Sequence, residues 1–341
     1  MYPHQRERLT RVLERDGLAA LVATAAANLA YVAAEELAPA STPRLLVVTP
    51  TATALVAHAR ATATLDADHV IAYDTTPADA LGAALDALGV AGGAVGLETG
   101  GLARPDAAAV TAALAPRTVR PGGAAWRTAR AVKSPFEIDC LERGLLVLEE
   151  ALNALVQVLA PGMTAKAAAT VCETHVGSRG MALDRVLIAS GADTAALRGG
   201  DRIRMELAGR WKGYHAVVAR VAVLGAPTAA QEDAHAALEA PLAAALGALR
   251  PGTPAREVHA AFARAAGPSA TPEAVGHGIG LEPEEAPRLT AASDERLDAD
   301  AVVALISDGG AGAGRLVDTV LLTARGSRRL NRTQPGLVTL D

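Results

Sequence analysis

An apolar helical repeat that stops at a proline–glycine turn and resumes as a second helix occurs twice in this chain, about ninety residues apart. The first copy opens at Ser134-Pro135, with serine placed to cap, proline in the first helical position, and Glu137 and Asp139 in the first turn. Leu141, Leu145, Leu148, Leu152 and Leu155 follow at helical spacing as far as Pro161-Gly162-Met163-Thr164, where Thr164 is placed to cap a second helix. The second copy covers 229–249, breaks at Arg250-Pro251-Gly252-Thr253-Pro254 and continues over 255–266. Such turns are also ordinary helix punctuation. Duplication is favoured because strand-like runs follow each copy, at 186–190, 202–207 and 217–223, then at 302–306 and 316–323. The pattern predicts an α+β domain of two similar halves, with an antiparallel sheet and its helices on one face.

The segment ahead of it has a different rhythm. A charged amphipathic helix over 5–18 places Leu9, Val12 and Leu13 on one face and ends at Gly17. Strand-like runs at 18–24, 44–48, 54–57, 70–72 and 94–97 alternate with alanine-rich helices at 77–88 and 105–115, and residues 27–31 read as a turn. This alternation predicts an α/β layer with a largely parallel sheet. Pro121-Gly122-Gly123 reads as a linker, giving domains of 1–125 and 126–341. The first of these carries no GxGxxG, no phosphate loop and no catalytic constellation.

Chemistry concentrates at Gly276-His277-Gly278-Ile279-Gly280, a histidine expected in a glycine-flanked bend, with Glu284 and Glu285 downstream. Missing Cβ atoms let another backbone or a substrate come close, so the stretch reads as a pocket floor. A net charge of −5 argues against nucleic acid or an anionic membrane as partner. Cys140 and Cys172 have neither metal-ligand spacing nor the pattern of a disulfide framework, and Cys140 is expected in the core. The start of the sequence lacks a signal-peptide stretch and no run is long enough to span a bilayer, which predicts a cytoplasmic protein.

At these residues the sequence resembles the creatinase / aminopeptidase P / prolidase family, whose C-terminal domain has the pita-bread fold. The resemblance is carried by Ala26-Ala27-Asn28-Leu29-Ala30-Tyr31, the helix entry from Arg130 to Asp139, Lys212-Gly213-Tyr214, Arg220, Gly276–Gly280, and Asp318–Thr323, all in the family's order. It implies a pita-bread domain preceded by an α/β creatinase-type domain. It also implies two divalent metals held by two Asp, one His and two Glu, which activate a water for attack on a peptide carbonyl.

Those five positions fall on Glu206, Val217, His277, Ile306 and Val317. Valine and isoleucine have no lone pair, and one imidazole with one carboxylate cannot hold two divalent cations against their hydration. No metal and no other cofactor is therefore expected. The family's two further histidines fall on Arg198 and Glu284, and since creatinase works through the first of them without metal, its mechanism does not transfer either.

The remaining pocket set is Arg198, Glu206, Tyr214, His215, Arg220, His277, Glu284, Glu285 and Asp308. His277 reads as a general base or as a histidine hydrogen-bonded in its bend. Glu206 is either its partner or a buried carboxylate neutralised by Arg220. Arg198 and Arg220 would clamp a substrate carboxylate, although an ion pair across the sheet is the stronger reading for Arg220. Glu285 is expected to face inward, Tyr214 to pack, and His215 and Asp308 to lie near the rim.

Three functions follow. The first is a metal-independent enzyme acting on a C–N bond (by hydrolysis or a related lyase or cyclase step) of a small carboxylate- or amidine-bearing substrate. The second is an inactive pseudopeptidase serving as a binding or scaffold protein. The third is a metal-dependent Xaa-Pro aminopeptidase. The expected partner is a small or short peptide-like molecule, and the resemblance implies a homodimer.

Overall fold

The computed structural model describes residues 1–33, 42–61, 66–190, 196–267, 271–310 and 314–340. Its contacts divide the chain into two compact units, Met1–Arg130 and Ala131–Asp341.

In the first unit, helix α1 (Pro3–Asp16) buries Leu9, Val12 and Leu13 and ends at Gly17 in the left-handed conformation. Six strands form one sheet: β1 (Ala20–Ala23), β2 (Leu45–Val48), β3 (Thr53–His58), β4 (His69–Tyr73), β5 (Ala94–Leu97) and β6 (Thr118–Pro121). Their order is β4-β3-β2-β1-β5-β6. The β3–β4, β1–β5 and β5–β6 pairings are parallel. The β1–β2 and β2–β3 pairings are antiparallel, so the sheet is mixed rather than largely parallel. Thr49 bonds across the short β2–β3 connection to Ala52, and so short a loop cannot make a parallel crossover. Helices α3 (Pro77–Ala87) and α4 (Arg104–Ala113) complete this core.

Two sequence expectations are corrected here. Residues 27–31 are not a turn but belong to helix α2 (Ala26–Ala33). The chain at its entry is held from seventy residues away: Glu98 accepts hydrogen bonds from the Thr24 and Ala25 amides and from Asn28 Nδ2. Pro121-Gly122-Gly123 is not a free linker either. Pro121 ends β6, and Gly123 begins helix α5 (Gly123–Ala131).

In the second unit, α6 (Pro135–Val156) starts as the sequence requires. Ser134 Oγ accepts from the Glu137 amide and Glu137 accepts from the Ser134 amide, a reciprocal cap. Thr164 caps α7 (Ala165–Ser178). Helices α8 (Ala229–Ala248) and α9 (Ala255–Ala266) form the second pair. The sheet contains β7 (Ala182–Ala189), β8 (Arg202–Trp211), β9 (Tyr214–Leu224), β10 (Ala274–Gly278), β11 (Glu285–Thr290), β12 (Val302–Asp308) and β13 (Arg315–Thr323). Its order is β11-β10-β12-β13-β9-β8-β7, with β14 (Gly326–Arg329) beside β13 and β15 (Val338–Leu340) beside β9.

Lys212 and Gly213 both have positive φ, the two-residue hairpin turn whose twist matches its strands, and Trp211 pairs with Tyr214 across it. Strand alternation then separates two faces. Val303 and Leu305 of β12, with Leu316, Val320 and Leu322 of β13, pack into the core with α8 and α9. The intervening residues of the same strands are left for the opposite side. Cys140 and Cys172 are free, buried thiols, and burial pushes each up to about 11. Among the described residues no helix is long and apolar enough to cross a membrane.

Candidate functional site

Cross-strand register assembles the site. Glu206 of β8 lies opposite Ala219 of β9, Ala219 opposite Val317 of β13, and Val317 opposite Ile306 of β12. Directly opposed residues share a face, so this is one continuous row across the sheet. Val217 stands two residues along β9, and His277 of β10 lies opposite Ala304 of β12. All five positions assigned through the resemblance (Glu206, Val217, His277, Ile306 and Val317) line one cavity of about 440 Å³. Arg185, His215, Glu284 and Arg315 line it too.

His277 is buried, and its Nδ1 lies 2.9 Å from the carbonyl oxygen of Gly278. A carbonyl only accepts, so Nδ1 donates and the neutral ring keeps its lone pair on Nε2. The residue is not in a bend. It lies within β10, which has register irregularities on both sides of it against β11. A side chain on Gly278 would overlap the Ala286 carbonyl of β11. One on Gly280 would enter the contact between Glu285 and Lys133. Close protein neighbours thus account for these two glycines, with no ligand required.

Glu206 is fully buried. Arg204 Nη2 donates to its Oε2 at 2.6 Å, Arg185 pairs with its other oxygen, and Arg315 Nε lies 4.0 Å from Oε2. Asp308 lies 3.8 Å from Arg204 and 3.5 Å from Arg315. Burial, then the charge of Arg315, pulls the Arg185 guanidinium below its ordinary value. Arg204 is pulled down mainly by burial and further by Arg315 and Arg185, with Asp308 opposing. Glu206 is therefore neutralised, as one sequence reading had it, but by these three arginines rather than by Arg220. Period-two alternation is the signal that could have found them: Arg204 stands two residues from Glu206, and Arg315 two from Val317.

Arg220 is buried elsewhere. It donates to Asp318 Oδ1 at 2.9 Å and to the carbonyls of Ala219, Val317 and Thr333, and Arg329 shares Asp318. This is the ion pair across the sheet. Burial lowers Arg220 below its usual value while Asp318 opposes the shift. Arg198 is exposed and does not line the cavity, and the turn that precedes it falls largely outside the described residues. Glu285 does not face the cavity as expected: it is buried against Lys133 Nζ at 2.7 Å. Its exposed neighbour Glu284 lines the cavity instead. Tyr214 is buried with its ring edge-on to Phe136. His215 Nδ1 lies 3.4 Å from Asp184, which also accepts from Arg210.

Residues 139–324 match the model of metallopeptidase family M24. This chain belongs to that family. Among M24 relatives, the Xaa-Pro dipeptidase of Pyrococcus horikoshii is 27% identical over 232 residues, which cover 62% of this chain and 66% of that protein. The probable dipeptidase PepE of Mycobacterium tuberculosis is 28% identical over 230 residues, covering 62% of this chain and 61% of that one. The match thus spans less than two thirds of either relative. The crystal structure of the X-Pro aminopeptidase of Thermotoga maritima superposes with a TM-score of 0.80 at 20% identity, covering 98% of this chain and 100% of that one. The fold is the pita-bread fold of the creatinase / aminopeptidase P / prolidase group.

The two metals that the resemblance implies do not fit this M24 chain. Three of the five positions are hydrocarbon, and the retained carboxylate is held by guanidinium groups. Among the described residues no group of three or more His, Cys, Asp or Glu side chains could hold a metal ion.

Proposed function

We propose that this M24 protein uses the family's cavity to bind a small molecule without metal, as a pseudopeptidase. One observation carries the proposal: the five positions converge on a single open cavity, yet Val217, Ile306 and Val317 supply its floor and arginines occupy Glu206. The sequence alone ranked a metal-independent enzyme first. The paired state of Glu206 lowers that rank, because a carboxylate between guanidinium groups is a poor orienter for a catalytic histidine. The cytoplasmic placement and the homodimer belong to the same proposal.

The enzyme remains as a second reading because His277 itself favours it. Its Nδ1 contact fixes the tautomer with the lone pair on Nε2, in a ring that lines the cavity, an arrangement that suits proton transfer in C–N bond hydrolysis or elimination. The test is metal analysis of purified protein dialysed against Mn(II) or Co(II), with turnover assays on proline dipeptides and guanidino acids for wild type and His277→Ala. The expected result is sub-stoichiometric metal and no turnover. Turnover lost in His277→Ala, without metal, would install the second reading, and two tightly bound metals per chain would overturn both.

A further inference from the structure

The charged groups around the cavity satisfy one another. Arg185 and Arg204 hold Glu206, Arg315 stands between Glu206 and Asp308, and Asp184 is engaged by Arg210 and His215. Glu284 stands at the exposed edge, where water solvates it. A net charge carried down to the floor would lose its hydration and meet no free counter-ion there.

His277 offers the inner wall an open acceptor. The Gly278 carbonyl takes the Nδ1 proton, which leaves the lone pair on Nε2. Among the described residues Nε2 has no partner, yet it is not sealed from solvent, so it opens on the cavity that the ring lines. The wall near it is hydrocarbon: Val217, Ile279, Ile306 and Val317.

We propose that the cavity takes a small uncharged molecule with an aliphatic body and an N–H or O–H donor, the donor bonding His277 Nε2 and the body lying on Val217, Ile306 and Val317. A ligand without a donor would cover Nε2 and leave it unpaired. A carboxylate would set its lone pairs against that of Nε2. An ammonium ion would satisfy Nε2 but bury its charge without a counter-ion. The inference rests on the small-molecule reading of the cavity and names its ligand class.

The test is calorimetric titration of the full chain, in EDTA, with isovaleramide, methyl isovalerate, isovalerate, isoamylamine and propionamide, in wild type and His277→Ala. The ester matches the amide in shape but has no donor. Wild type is expected to bind the ester roughly threefold or more weaker than the amide, and both ions at least about tenfold weaker. Propionamide, two carbons shorter, is expected to bind about tenfold weaker than isovaleramide. His277→Ala should bind amide and ester alike. If that variant fails to fold, the amide–ester comparison in wild type decides. Equal binding of amide and ester by wild type, tighter binding of either ion, or no binding overturns the assignment. Failure of the metal-free reading would show separately, as metal bound in the dialysed protein.

Discussion

Replacing Glu206 by glutamine separates a guanidinium-filled site from a metal site by the sign of its effect. In an empty dinuclear centre the carboxylates repel one another, so neutralising one stabilises the metal-free protein. Here the carboxylate is fully buried and held by Arg204 at 2.6 Å, by Arg185, and by Arg315 at 4.0 Å. Two unit charges 4 Å apart interact by about 4 kcal/mol at an effective dielectric of 20, and stripping a partner from a buried pair costs roughly 3–5 kcal/mol. The side chains of Arg204, Arg315 and Arg185 are 18%, 22% and 52% exposed, so solvent screens part of this. The expected loss is about 3 kcal/mol, which for a unit of this size lowers Tm by roughly 6–12 °C. The assay is thermal unfolding of wild type and Glu206→Gln in EDTA at low salt, repeated in 1 M salt, where the gap should narrow. Arg204→Gln and the double variant complete a cycle with coupling of at least about 1 kcal/mol. A Glu206→Gln protein as stable as wild type, or more stable, would refute the reasoning.

Further outcomes follow from the same physics. Lys133 and Glu285 have side chains only 1% and 3% exposed, so Lys133→Met alone should cost roughly 3–5 kcal/mol, while Lys133→Met with Glu285→Leu should recover most of it. Urea unfolding of the three proteins checks this, and a double variant no better than the single one would count against it. His235 is buried with Nε2 2.8 Å from the Pro335 carbonyl, and burial lowers its pKa below 6.5. The unfolded chain then binds the proton first, so this contribution is intact above the unfolded pKa and is lost as pH falls from there toward the folded pKa. Wild type should lose more Tm than His235→Gln on acidification through that window, and parallel curves would remove His235 as the cause.

How much was legible depended on how local each cause is. The helix starts at Ser134 and Thr164 are written in neighbouring residues, because a cap needs only a side-chain oxygen and an amide three positions on. Motif order named the five positions that line the cavity, and their convergence needed the register that joins Glu206, Ala219, Val317 and Ile306 and that sets His277 opposite Ala304. Helix α2 was misread as a turn because the carboxylate that holds the chain at its entry, Glu98, lies far along the chain. The largely parallel sheet expected of the first unit was mixed because helix–strand alternation does not reveal which neighbours pair.

The sequence by itself determined the family, the duplicated helix pairs and the hydrocarbon character of three positions at which the resemblance implies metal ligands, since such a side chain has no lone pair in any fold. Only the tertiary structure decided what surrounds the retained carboxylate. Arg185, Arg204 and Arg315 come from three strands, and nothing in a linear reading says that they meet at one carboxylate. It likewise decided that Glu285 turns to Lys133 and that the glycines beside His277 make room for protein neighbours. Electrostatic energy depends on distance in space, which strand register sets and sequence separation does not.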